Sequence, residues 1–501
     1  AGLVNIVDRL FATMQQPICI DGQNVQAGAS VGIAFYPDDG DSCSDLIKCA
    51  DIAMYQAKAM GRGNYQFYAP ELGRRTTERL NTENQLRRAF EQGEFELYYQ
   101  PKICSRSGRV AGMEALIRWN HPQRGLVPPM EFIPIAEESG VIVPIGAWAL
   151  QQACRQNQAW IEAGWSDFPI SVNVSIAQFK HKGFSQTVVD ALAQSRLKAE
   201  FLTLEITESL VMDNPELFIL ELQGLKSLGI RISIDDFGTG YSSLSYLKRF
   251  PIDELKIDRS FVRDISIDPA DADLCRTIIM VGRNLGLSVV AEGVETEAQA
   301  SYLMRHRCDE LQGYLLCRPA PALQISARLA KQTLLYPALW QKKTALKIVL
   351  VVDDDALALQ ALMQALPSGD CRILNSTSTA MALEILATYD VAVVIASCGM
   401  REMSGAEFLQ RAQVLCPNAV RIMAGERADL EGIAMAVNQG AVYNFISQPW
   451  NPQRLQITLQ KAFEYRDLKT SLAHEFAQNH PLDQNRELGT LAELEQVQEN
   501  R

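Results

Sequence analysis

From about Glu94 to Ala330 the chain alternates short apolar runs with stretches of helical periodicity. Val172–Val174, Thr203–Ile206, Arg231–Ile234, Glu254–Ile257 and Ser288–Val290 have the length and apolar content of buried strands. The polar residues of interest stand at the ends of such runs or just beyond them. This repetition predicts an α/β fold, a TIM-like (β/α) barrel whose chemistry gathers at the carboxyl ends of its strands. A doubly wound open sheet is the alternative that the pattern leaves standing.

The flanks are patterned differently. Residues 1–70 predict a short α/β piece, with a strand at Ala29–Phe35 and a turn at Pro37–Gly40. Between Asp45 and Met60 a helix is predicted, with Leu46, Cys49, Ala50, Ala53, Met54 and Ala57 on one face. A charged helix follows from about Glu71 to Gln92. Beyond Tyr336-Pro337 a new unit begins: Ile348–Val352 reads as a buried parallel strand ending in Asp353-Asp354-Asp355. Val391–Ile395, Val420–Met423 and Val442–Phe445 continue what should be a small doubly wound sheet. The tail from Arg466 is polar and helix-prone, interrupted at Pro481.

Composition serves mainly to exclude. The 501 residues suggest three domains, and 47% hydrophobic residues supply sizeable cores. A formal charge of -12 argues against direct DNA or RNA binding, although bound cations can still admit a phosphate-bearing substrate to one cleft. The 11 cysteines have no close-spaced pairs, and the apolar neighbours of Cys154, Cys275 and Cys308 fit reduced thiols. No run approaches the roughly 18 apolar residues of a membrane span. The expectation is a cytoplasmic protein, with membrane tethering open through a region before Ala1.

The stretch Ile232-Ser233-Ile234-Asp235-Asp236-Phe237-Gly238-Thr239-Gly240-Tyr241-Ser242-Ser243 puts two acids side by side where a buried strand ends. Alone, such a pair can be a cap or a turn. Other strand ends in the same region carry Glu114, Asn173, Glu205 and Glu292, with Lys256 near another. Buried charges are costly unless paired or bound to metal. Neighbouring side chains on a regular strand point to opposite faces, so Asp235 and Asp236 share a pocket only if the strand ends or twists there. Gly238 and Gly240 would permit that change of direction. An all-oxygen donor set suits Mg²⁺ or Mn²⁺ rather than zinc, and His121, His181 and His306 show no ligand spacing.

These segments, taken in order, resemble the EAL family of cyclic-di-GMP phosphodiesterases. The resemblance runs through Tyr99-Gln100-Pro101-Lys102, Glu114-Ala115-Leu116-Ile117-Arg118-Trp119, Asn173-Val174-Ser175 and Leu204-Glu205-Ile206-Thr207-Glu208-Ser209. It continues in the Asp235-Asp236 stretch, Leu255-Lys256-Ile257-Asp258, Ala291-Glu292-Gly293-Val294-Glu295-Thr296 and Gln312-Gly313-Tyr314-Leu315. It implies one divalent ion held by Glu114, Asn173, Glu205 and Asp235, and a second shared by Asp235 beside Asp236, with Glu292 nearby. Two ions, Mg²⁺ or Mn²⁺, are thus expected per site. By the same resemblance Lys256 orients the attacking water, Glu208 and Glu295 brace the loop after Asp236, and Gln312 lies near the guanine or water side of the cleft. Arg118, on the strand face of Glu114, would meet a substrate phosphate, and Gln100 would border the cleft. The implied reaction cuts cyclic di-GMP to linear 5'-pGpG. A sensor that binds without cutting, or a scaffold, is the competing class, and every expected catalytic position carries its usual residue.

Residues 29–68 resemble the last part of a GGDEF domain, without its metal-binding and nucleotide-binding loop. Residues 347–465 resemble a response-regulator receiver in which Asp353 and Asp354 match the metal-binding acids. Ser397 stands at the phosphoacceptor position, Gly425 at the usual Thr/Ser, and Gln448 at the lysine. Ordinary aspartyl phosphorylation is therefore not expected. The degenerate receiver either caps a strand end or acts as a docking, dimerisation or ligand module. The resulting expectation is a partial GGDEF domain at 1–70, a helical connector at 71–84 and an EAL barrel at 85–330. A linker at 331–346, a degenerate receiver at 347–465 and a helical or frayed tail at 466–501 complete it. The expected partners are cyclic di-GMP, a second copy in a homodimer, and a protein or ligand at the receiver.

Overall fold

The computed structural model describes residues 6–7, 9–11, 13, 18–20, 23–25, 29–59, 63–69, 82–165, 167–208, 215–239, 247–331, 336–340, 346–367, 371–425 and 442–479. Most of the expected connector, parts of the expected linker, the end of the tail and loop residues 240–246 lie outside these ranges. The chain forms two compact units: Ala1–Leu97 with Ile117–Ala149 and Ser175–Phe184, and Tyr98–Leu116 with Leu150–Val174 and Ser185–Arg501.

In the first unit, strand β1 (Val31–Ile33) pairs in parallel with β2 (Tyr65–Phe67), and helix α1 (Cys43–Ala59) packs on both. Ala53 and Ala57 are fully buried, on the face the periodicity marked. A separate core joins Leu86 and Ala89 to Trp119, Phe132 and Ile145.

The second unit is built around a closed eight-stranded barrel. Its strands are β3 (Phe95–Cys104), β4 (Val110–His121), β6 (Ile170–Asn173), β7 (Leu202–Thr207), β8 (Arg231–Phe237), β9 (Glu254–Ile257), β10 (Ser288–Ala291) and β11 (Glu310–Leu311). The short β5 (Gly125–Val127) pairs only with the end of β4. Around the ring the order is β3–β11–β10–β9–β8–β7–β6–β4, closed by β4 on β3. From β6 to β11 neighbouring strands run parallel, but β3 is antiparallel to β11. The barrel therefore departs from the all-parallel form of the fold, because a tight connection over Ser105–Arg109 returns β4 beside β3 as a hairpin.

The strands are buried on both faces, yet they alternate. Leu204, Ile206, Ile232, Ile234, Leu255 and Ile257 are apolar, whereas Ser171, Thr203, Glu205, Ser233, Glu254 and Lys256 are equally buried and polar. The ion pairs among the polar set place them on the inner face, leaving the apolar set for the helix layer.

Beyond the barrel, a second sheet has the order β13–β12–β14–β15–β16, all parallel. Its strands are β12 (Lys347–Val352), β13 (Cys371–Ser376), β14 (Val391–Ser397), β15 (Val420–Gly425) and β16 (Asn444–Ser447). This is the expected doubly wound sheet, with its last strand two residues later than the apolar pattern put it. Its final helix runs unbroken from Pro452 to Asn479.

Two helices that follow the strands carrying Lys256 and Glu292 meet this sheet's helices. Helix α2 (Pro269–Asn284) packs on α5 (Gly405–Leu415), and α3 (Glu297–Arg305) on α4 (Thr379–Thr388). Arg305, in the last turn of α3, donates to the carbonyls of Leu386 (2.9 Å), Ala387 (2.8 Å) and Tyr389 at the end of α4. A cation is thus bound to the negative end of a helix dipole. Among the described residues no helix is long and apolar enough to cross a membrane, and the described cysteines are free thiols.

Candidate active site

The second unit contains a cleft of about 270 Å³, lined by Gln100, Glu114, Leu116, Asn173, Asp235, Arg259, Glu292, Gly293, Glu295, Gln312, Gly313 and Tyr314. Seven of these are site residues named from the sequence: Gln100, Glu114, Asn173, Asp235, Glu292, Glu295 and Gln312. Asp235 and Glu292 come from the ends of β8 and β10, and Asn173 ends β6.

Lys256 is the hub. Its ammonium lies 2.7 Å from Glu205 Oε2, 3.2 Å from Asp235 Oδ2 and 3.8 Å from Glu114 Oε1, and it also pairs with Glu292 Oε1. Burial would lower the Lys256 pKa, but these four carboxylates raise it well above the ordinary lysine value. Burial would likewise raise Glu205, yet Lys102 and Lys256 hold it well below the usual carboxylate range. Glu114 goes the other way. Desolvation, only partly offset by Lys256 and reinforced by Glu205 and Asp235, pushes it up to about 7. Desolvation also raises Asp235 and, more strongly, Glu292. One shared cation cannot satisfy this many buried acids.

Amide side chains fix Glu114. Asn173 Nδ2 donates to its Oε1 at 2.7 Å and Gln312 Nε2 to its Oε2. Gln312 also donates to Gln100 Oε1 at 3.1 Å, and Gln100 to the Cys317 carbonyl at 2.9 Å. Gln312 lines the cleft and braces Glu114 from a buried position, and among the described residues its Oε1 has no partner.

The paired acids are separated by a backbone reversal. Asp236 itself has φ +54°, in the left-handed region, and the β8–β9 register shifts between Ile234 and Phe237. This bulge re-aims the chain after Asp235. The reversal thus starts at the second aspartate, before the glycines; Gly238 follows at φ +101°. Asp236 lies beside Asp258, and desolvation with the charges of Asp235 and Asp258 pushes it up to about 6. Glu208 is buried, and its Oε2 accepts from the Gly238 amide at 2.9 Å, where the loop begins. Glu295 is exposed at the rim; the loop segment it was expected to brace lies outside the described residues. Arg118 donates to the Ile117 carbonyl at 2.8 Å, within the first unit.

Sequence reasoning missed Lys102, Glu254, Arg259 and Asp258. Lys102 had been quoted in a matching motif without a role, although its place two positions from Gln100 puts it on the same strand face.

In the receiver-like sheet, Asp353 is buried and accepts from the Asp355 amide at 3.0 Å, while Asp354 accepts from the Arg401 amide at 2.7 Å. Ser397 hydrogen-bonds Asp353. A Cβ on Gly425 would stand 2.1 Å from Cys398 Sγ, so the thiol fills the space that a Thr or Ser side chain would need. The backbone N–H of Gln448 donates to the Gly425 carbonyl at 3.1 Å.

Comparison with known proteins agrees with this layout. Residues 83–319 match the EAL domain, 349–460 the response regulator receiver domain, and 2–64 the diguanylate cyclase, GGDEF domain. The chain is 45% identical over 330 residues to the bifunctional diguanylate cyclase/cyclic di-GMP phosphodiesterase MucR of Pseudomonas aeruginosa, covering 66% of this chain and 48% of that protein. It is 43% identical over 313 residues to the cyclic di-GMP phosphodiesterase NbdA of the same organism, covering 62% and 40% respectively. This chain therefore spans less than half of either relative. The solved structure of the EAL enzyme Bd1971 in its cAMP and cyclic-di-GMP bound form matches with 34% identity and a TM-score of 0.50, over 58% of this chain and 76% of that one.

Proposed function

The chain belongs to the EAL-domain family, and on that premise we propose that its barrel is a divalent-metal-dependent phosphodiesterase that opens cyclic di-GMP to linear 5'-pGpG. The carrying observation is the set of carboxylates, Glu114, Glu205, Asp235 and Glu292, facing one buried ammonium, three of them lining a single cleft. The donor chemistry fits a hard cation: oxygen ligands only, more acids than one lysine neutralises, and a Glu114 whose charge is suppressed for want of compensation. Among the described residues no three acidic, histidine or cysteine side chains form a ready-made coordination shell, since the acids stand around Lys256 instead.

In this reading Glu114, Asn173, Glu205 and Asp235 would hold one ion, with Asp235, Asp236 and Glu292 as the residues that would serve a second. When bound, such ions supply a sharpened water nucleophile and neutralise charge on the phosphoryl oxygens. Lys256 orients that water and offsets developing negative charge. Asn173 and Gln312 hold the Glu114 carboxylate in one orientation. Arg259, which lines the cleft, is a cation within it that can meet a substrate phosphate. The half-exposed Tyr314 ring offers one face to a guanine, with Arg318 stacked 4.5 Å from its centroid. Incubating the protein with cyclic di-GMP, with and without Mg²⁺ or Mn²⁺, and separating the products by chromatography tests the proposal. Tight nucleotide binding without turnover at saturating metal would make the protein a sensor instead.

The raised Glu114 pKa gives the metal affinity a direction in pH. Below about 7 this carboxyl is mostly protonated and a cation must displace the proton. Mn²⁺ affinity should therefore rise with pH, by up to about tenfold per unit while Glu114 remains protonated, and level off above neutrality. Electron paramagnetic resonance of free Mn²⁺ at several pH values measures this; a flat profile would contradict it.

The receiver-like sheet acts on the barrel through α2 and α3, which follow the strands of Lys256 and Glu292. Arg305→Ala removes the cation bound to the end of α4. It is expected to destabilise the chain by about 1.5–3 kcal/mol and to lower kcat severalfold, with KM little changed. Chemical denaturation and turnover assays check both effects.

A further inference from the structure

A second buried ammonium, like that of Lys256, stands behind the residues that line the cleft. Lys102 enters from β3, is 1% exposed, and places Nζ 2.8 Å from Glu205 Oε1 and 2.6 Å from Glu254 Oε1. Glu254, also buried, accepts from Ser233 Oγ at 3.0 Å. The other oxygen of Glu205, Oε2, belongs to Lys256. Both oxygens of Glu205 are thus gripped, Oε2 by Lys256 and Oε1 by Lys102. The lysine stem has room because β4 carries Gly112 opposite: a Cβ there would approach Lys102 Cδ to 3.3 Å.

Stability alone does not explain this arrangement. Buried ion pairs roughly break even against well-packed apolar residues, whereas an unpaired buried charge is expensive. What the triad supplies is a single fixed orientation of Glu205. We propose that Lys102, anchored by Glu254, is a positioning residue that sets Glu205 for cation binding from the side opposite the substrate. This rests on the reading of Glu205 as a metal ligand.

The sign of one measurement separates positioning from bulk electrostatics. Deleting a positive charge near a cation site strengthens cation binding if charge is all that matters; loss of positioning weakens it. The variants are Lys102→Met and the charge-balanced double Lys102→Met/Glu254→Gln, in which the glutamine still accepts from Ser233. The double variant keeps the test open where the single one does not fold. The readouts are Mn²⁺ affinity without nucleotide, by electron paramagnetic resonance, and kcat and KM for cyclic di-GMP. Both variants should bind Mn²⁺ about 10–100-fold more weakly, the cost of removing a partner that orients a ligand. In both, kcat should fall while KM stays within about threefold, as for a group outside the substrate's reach. A folded double variant with unchanged or tighter Mn²⁺ binding overturns the proposal. A wild-type chain that takes up Mn²⁺ without hydrolysis removes the catalytic reading but leaves Lys102 judged by binding alone. A wild type that takes up none overturns both.

Discussion

Glu114→Gln is expected to eliminate hydrolysis of cyclic di-GMP while leaving the fold intact. The substitution keeps the shape, and Asn173 Nδ2 can still donate to the remaining carbonyl oxygen. Gln312 would then face an amide NH₂ in place of Oε2; reversing its amide brings its unpartnered Oε1 to that NH₂ in exchange for its bond to Gln100 Oε1, a local rearrangement of hydrogen bonds. Removing one acid from a like-charged cluster relieves repulsion, and the metal-free melting temperature should hold or rise. On the proposed function, what is lost is a charged ligand for the cation. Losing partners that merely orient a ligand costs about 10–100-fold, so losing the ligand's charge should cost more than about 100-fold in kcat. Turnover within tenfold of wild type would contradict a ligand role for Glu114.

Lys256→Met should produce the largest change in stability. It leaves Glu114, Glu205, Asp235 and Glu292 facing each other, with Lys102 as the closest remaining cation on Glu205. Breaking a buried pair by removing one partner costs about 3–5 kcal/mol. Here one ammonium serves several acids, so the upper part of that range is expected in the absence of divalent ions. Mn²⁺ should then recover more stability in the variant than in wild type, because it replaces the missing positive charge, while hydrolysis stays lost for want of the group that orients the nucleophile. Chemical denaturation with and without Mn²⁺ reads both. Equal stabilisation of the two proteins would show that Lys256 and the cation do not share the same acids.

The barrel and the acids at its strand ends were legible because buried polar residues recur with strand periodicity. Ser171 and Asn173, Thr203 and Glu205, Ser233 and Asp235, and Glu254 and Lys256 each lie two positions apart, on one face of a strand. The upper members stand at or near the ends of their runs, whereas Thr203, Ser233 and Glu254 lie within runs read as apolar, which hides Glu254. Strand direction was not legible, since periodicity is the same for parallel and antiparallel neighbours; only the turn-forming Ser105-Arg106-Ser107-Gly108-Arg109 hinted at the hairpin. The left-handed Asp236 was hidden because an aspartate rarely takes the conformation that the following glycines adopt freely. Contacts between distant segments, such as Arg305 with the end of α4, leave no local signature. The loss of the receiver's hydroxyl at Gly425 was visible, but its filling by the Cys398 thiol needed the packing.

The most direct measurement is turnover of cyclic di-GMP in ¹⁸O-labelled water, with Mn²⁺ or with a chelator, read by mass spectrometry alongside a check that the protein is folded. The expected result is linear 5'-pGpG carrying a single ¹⁸O on its terminal phosphate, formed with Mn²⁺ and absent with chelator. Intact cyclic dinucleotide after long incubation of folded protein with Mn²⁺, or cleavage undiminished by the chelator, would contradict metal-dependent hydrolysis at this cleft.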